Sequence, residues 1–147
     1  VEARTVLRRW VLHVVAPLTV GGFVYVAWRA PELWLHRWVG LVVGTENLIA
    51  FRDAVGSAPR WLPMSVVGSA PNALWTYAGT YALGAVWAGS RESERWAWMA
   101  AAPALSIGAE LGQAVGALPG VFDLLDLLTA VLASGAAFFM TSRRHGG

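Results

Sequence analysis

The chain has 147 residues, of which 56% are hydrophobic and 14% charged, with a formal net charge of +2 at pH 7 and a mean hydropathy of +0.51. A soluble domain typically carries about 25% charged residues, so the composition excludes an ordinary soluble fold and predicts an all-α integral membrane protein. All the basic residues are arginines, which in such a chain report membrane orientation and not nucleic-acid binding, and the lack of Cys removes disulfides, thiolate catalysis and Cys-ligated metals.

A crossing needs about 20 residues at 1.5 Å each. Four stretches qualify, at about 10–28, 72–88, 96–114 and 122–140, which predicts four transmembrane helices in a single membrane domain over 1–147. The first stretch follows Arg4, Arg8 and Arg9 but is longer than a secretory h-region of about 7–15 residues and has no small-residue cleavage pattern. It reads as a retained span with Trp10 and Trp28 as interfacial anchors. His13 within it is read as a hydrogen-bonded helix histidine, with contact to a tetrapyrrole metal as the alternative; no cofactor is otherwise expected.

Between the first two spans, Trp34, Leu35, Trp38, Leu41, Val42 and Val43 predict an interfacial or re-entrant helix. Arg52-Asp53 follows, and then Gly56, Pro59, Pro63 and Gly68-Ser69-Ala70-Pro71 break the chain repeatedly. Irregular backbone at membrane depth needs protein cover, so this connection is expected to cap the bundle.

The third span carries two patterns. Ala100, Ala104, Gly108, Gly112 and Gly116 recur every fourth residue, a small-residue stripe of the kind that lets another backbone approach. Glu110 and Gln113 fall on the far side of that helix, with Ser106 on the face of Glu110 at i,i+4. Neither face suits lipid, so this helix is expected to be the most enclosed. Asp123 and Asp126 share a face at the start of the fourth span, and the short turn Gly116-Ala117-Leu118-Pro119-Gly120 forces the last two helices to be antiparallel neighbours. Glu110, Gln113, Asp123 and Asp126 therefore reach a similar depth. Asp123 reads as a helix N-cap and Asp126 as a first-turn acid, or both as members of an acidic pocket. Ionisable residues inside a membrane segment are by default a functional-site hypothesis. Glu110 is expected either to hold its proton or to pair with an arginine, Arg52 first and Arg60 second.

The run from Glu110-Leu111-Gly112-Gln113 through Leu118-Pro119-Gly120-Val121-Phe122-Asp123-Leu124-Leu125-Asp126 to Gly135 resembles the signature of VanZ-like membrane proteins, in which E-x-x-Q on the third span precedes a short outer turn and one or two aspartates. Ser69-Ala70-Pro71-Asn72-Ala73-Leu74-Trp75 is also similar to members of that family. The outer-turn arginine of many relatives is absent, which leaves Arg52 or Arg60 as its substitute. The resemblance implies an envelope protein whose outward-facing polar pocket, built from Glu110, Gln113, Asp123, Asp126, Ser106 and Arg52, binds a lipid or peptide ligand, a proton or a cation.

Two other readings stay open: a non-catalytic accessory subunit of a larger membrane complex, respiratory or photosynthetic, packed through Ala104, Gly108, Gly112 and Gly116, and an interfacial lipid-acting enzyme. No Ser-His-Asp set, phosphate-binding Gly loop or metal-spaced His cluster is present, so catalysis is the least supported and no metal is expected. Arg4, Arg8, Arg9, Arg91, Arg95, Arg143 and Arg144 outnumber Arg29, Arg37, Arg52 and Arg60 on the other side. The positive-inside rule then predicts a multi-pass protein of a bacterial cytoplasmic membrane, with both termini cytoplasmic, the bilayer as its medium and other membrane subunits as its possible partners.

Overall fold

A computed structural model describes residues 2–31, 33–118 and 120–142, without the side chain of Trp34. Pro119, Arg143 and Arg144, which enter the turn and topology expectations above, lie outside the described residues. Among the described residues every element is helical. These are α1 (Glu2–Trp28), α2 (Trp34–Val43), α3 (Thr45–Val55), α4 (Met64–Val86), α5 (Glu92–Ala114) and α6 (Leu124–Ser142). Two of them, α1 and α6, are long and apolar enough to cross a membrane by length and composition. The other two long helices, α4 and α5, have 23 residues each, which is about 35 Å at 1.5 Å per residue.

α1 continues through a π-turn at Val11–Val15, where the Ala16 N–H donates to Val11 O five residues back. Pro17 follows directly, and its missing N–H makes the ordinary α ladder impossible at that point. α4 begins at Met64 and runs straight through Gly68-Ser69-Ala70-Pro71, eight residues before the stretch expected from apolarity. Pro71 is fully buried, so its ring is accommodated by packing, and the segment that reads as a breaker is the second turn of a helix. The connection between α1 and α4 holds two helices, α2 and α3, joined at Gly44 with φ +90, a value that favours glycine. This hairpin rests on α1 through α3.

α4 occupies the centre, packed against α1, α5 and α6, and it buries residues on several faces, including Val67, Ser69, Thr76, Ala78, Thr80, Tyr81 and Gly84. The expectation that the third span is the most enclosed is therefore overturned. α4 is uncharged and can be buried all round, whereas α5 buries one face, Arg95, Met99, Pro103 and Glu110.

The small-residue stripe of α5 is open over its first three members among the described residues. Ala100, Ala104 and Gly108 are exposed, and a Cβ at Gly108 would meet nothing within 4 Å. Gly112 and Gly116 serve the end of the helix instead. Gly116 has φ +71, its N–H donates to Gln113 O, and the Ala117 N–H donates to Gly112 O at 2.8 Å, which is a Schellman C-cap. Leu118 folds back over Gly112, where a Cβ would lie 2.8 Å from Leu118 Cδ1. The stripe that packs is on α6: Asp126, Ala130, Ser134, Ala137 and Thr141 are all buried, spaced four, four, three and four apart as one helical face requires, and α6 pairs most extensively with α4.

Candidate functional site at the carboxylate end

α5 runs antiparallel to both α4 and α6. Ser106 meets Asn72, Glu110 meets Asp123, and Thr141 meets Met99. The start of α4, the end of α5 and the start of α6 thus share one end of the bundle. There the Leu125 N–H donates to Asp123 Oδ1 at 2.8 Å, so Asp123 is the N-cap of α6. Asp126, three residues on, occupies the position from which an acid in a capping box reaches back to the N-cap N–H. That N–H is already taken, because the Asp123 N–H donates to Glu110 Oε2 at 3.1 Å. A carboxylate from the neighbouring helix has replaced the local one.

The consequence falls on Asp126. It is 9% exposed, and its Oδ1 is buried without a hydrogen-bond partner. Ser69 on α4 is 1% exposed and its Oγ is likewise unpartnered. Tyr81 and Ala137 belong to one buried cluster, and α4 and α6 run in the same direction. Counting back twelve residues from Tyr81 reaches Ser69 and eleven from Ala137 reaches Asp126, which puts the two orphaned atoms at one depth. Buried polar atoms are nearly always paired, and here a carboxylate oxygen and a hydroxyl at one level are both without a partner.

The remaining candidates fall elsewhere. Ser106 donates to Asn72 Oδ1 at 2.6 Å and not to Glu110. Gln113 lies over Gly120, where a Cβ would come 2.7 Å from the carboxamide carbon, so it packs the turn. Arg52 does not neutralise Glu110. Its Nη1 donates to Val26 O at 2.7 Å and to His36 Nε2 at 2.9 Å, and its Nη2 donates to Arg29 O at 3.0 Å. It thereby satisfies carbonyls at the end of α1, a position that favours a cation. Arg60 is exposed and carries no described contact with the cluster.

At the opposite end, Arg95 does for carbonyls what Glu110 does for an amide. It is 8% exposed and donates from Nε to Gly84 O at 3.1 Å and from Nη2 to Thr141 O at 3.0 Å, joining the C-terminal turns of α4 and α6. Sequence reasoning placed Arg95 among the topology-setting arginines. Its spacing with Met99 and Pro103 along one face was the signal that it points inward. His13 Nδ1 lies 2.6 Å from the Tyr77 hydroxyl and its ring stacks on Tyr81 at 4.4 Å, so it is a hydrogen-bonded helix histidine. Among the described residues no group of three or more His, Cys, Asp or Glu is placed to hold a metal ion.

What the arrangement offers chemically is a buried carboxylate oxygen that the fold has freed from capping, at about the depth of an unpartnered serine hydroxyl. No family model matches the chain, and no curated protein or solved structure matches it either.

Proposed function

We propose that the chain is a VanZ-like, non-catalytic membrane protein of four spanning helices, whose Asp126 accepts a hydrogen bond or charge contact from a ligand. The ligand is a proton, a cation, or the ammonium or hydroxyl group of an envelope molecule. The single observation that carries this reading is the orphaned Asp126 Oδ1, displaced from its own helix cap by Glu110. Support for the family comes from the motif acting as one unit: the E-x-x-Q glutamate receives the Asp123 N–H, and the glutamine packs the turn between them. By the arginine distribution the site faces away from the cytoplasm of a bacterial inner membrane.

Asp126→Asn tests it. A buried ionisable group kept for binding costs stability, so the variant is expected to melt at or above the wild-type temperature in mild detergent. It should also lose the thermal stabilisation that the wild type shows with at least one member of a panel of alkali and alkaline-earth cations, cationic peptides and amine-bearing lipids. A variant that melts well below the wild type makes Asp126 a structural group and overturns the reading, as does an unchanged response to the panel.

A second reading, lateral packing as an accessory subunit of a membrane assembly, is favoured by one specific feature. Ala100, Ala104 and Gly108 face outward between Leu105, 77% exposed, and Leu111, 51% exposed, which is a surface on which another helix would fit closely.

A further inference from the structure

The α2–α3 hairpin encloses a cleft of about 420 Å³, lined by both cationic and acidic side chains. His36, Arg37 and Arg52 form its basic side and Asp53 its acidic side, with Leu48 and Ile49 as apolar wall. Of the guanidinium donors of Arg52, both Nη1 hydrogens and one on Nη2 are engaged by Val26 O, His36 Nε2 and Arg29 O, which leaves the Nε–H and one Nη2–H. His36 Nε2 lies 2.9 Å from Arg52 Nη1 and 3.4 Å from Val26 O, and the other ring nitrogen is Nδ1. That Nδ1 is buried without a partner, in a residue 4% exposed. Arg37 is exposed and has no described partner, and so is Asp53.

The cleft therefore presents unused donors for an anion next to an unused carboxylate for a cation. Around it the same hairpin exposes Trp38 at 58%, Leu41 at 79%, Val42 at 85% and Ile49 at 54%, an apolar apron of the kind that enters the acyl region of a bilayer. A phosphate suits Arg37 and the free donors of Arg52, a primary ammonium suits Asp53, and acyl chains suit the apron. We infer that this cleft is a binding site for a zwitterionic glycerophospholipid with a phosphate and a primary ammonium in its headgroup. The inference rests on the membrane reading but not on Asp126, which lies on another helix.

Native mass spectrometry of the full chain in detergent, against phosphatidylethanolamine, phosphatidylglycerol and phosphatidylcholine of identical acyl chains and against inorganic phosphate, tests it. Phosphatidylethanolamine should be retained about tenfold more strongly than the other two lipids, the change expected for one charge-assisted hydrogen bond, and inorganic phosphate should not displace it. Asp53→Asn should erase the preference over phosphatidylglycerol, and Arg37→Gln should weaken every phospholipid. Both residues are exposed and make no described contact, so both variants should melt with the wild type, and Asp126→Asn should bind lipid unchanged. Equal retention of the three lipids, displacement by inorganic phosphate alone, or wild-type binding by both variants would overturn the assignment.

Discussion

The two ends of the α5–α6 pair solve one problem with opposite chemistry and with different economy. A helix leaves N–H groups unpaired at its start and carbonyls at its end. At the start of α6, α5 supplies the Glu110 carboxylate to the Asp123 N–H, and at its end α5 supplies the Arg95 guanidinium to Thr141 O. Each charge has the sign that the helix dipole favours there. At the Arg95 end one guanidinium also serves α4, through Gly84 O, and no acceptor of either bond can be removed without loss. The carboxylate end has Glu110, Asp123 and Asp126 where two bonds are needed, and Asp126 is left over. A charge that the fold uses twice and a carboxylate that it leaves over thus sit at opposite ends of the same two helices.

The largest expected effect tests the economical end. Arg95→Met keeps the length and apolar stem but leaves Gly84 O and Thr141 O, both in buried residues, without that donor. Each stranded acceptor costs about 1–3 kcal/mol, so the melting temperature in mild detergent should fall steeply. If Arg95→Met melts with the wild type, water or lipid headgroups serve those carbonyls and the two ends are not equivalent devices.

A smaller effect is expected at the carboxylate end, and it separates capping from charge. Glu110→Ala strands the Asp123 N–H at about 1–3 kcal/mol. Glu110→Gln keeps an acceptor and loses only the charge–dipole contribution, about 0.3–1 kcal/mol. Equal melting of the two variants would mean that the carboxylate charge, and not the hydrogen bond, is what α6 requires.

The adjacency of Glu110 and Asp123 was legible in the sequence because a connection as short as 115–123 leaves antiparallel neighbours no other place to go. The N-cap role of Asp123 was legible for the same local reason. The partner of Arg52 was not, since it depends on how α2 and α3 fold back on α1, and no local spacing encodes that. Pro71 and its neighbours misled because a proline reads as a break unless its ring is known to be buried. Gly112 and Gly116 misled because small residues answer two different needs, close helix packing and a left-handed C-cap, and the four-residue spacing is common to both.

Those glycines give the smallest and most discriminating prediction. A side chain at Gly112 must displace Leu118 from the Schellman turn, so Gly112→Leu should cost about 1–3 kcal/mol by overpacking. Gly108 lies one turn earlier on the same face with open space around it, and Gly108→Leu should stay within about 0.5 kcal/mol of the wild type, as surface changes usually do. Measured side by side in dilute detergent, the pair isolates what the face of α5 is for. If Gly108→Leu is as costly as Gly112→Leu, something outside this chain already covers Ala100, Ala104 and Gly108. A second copy would then show itself as a concentration-dependent melting temperature, and the lateral-packing reading would displace the ligand reading built on Asp126.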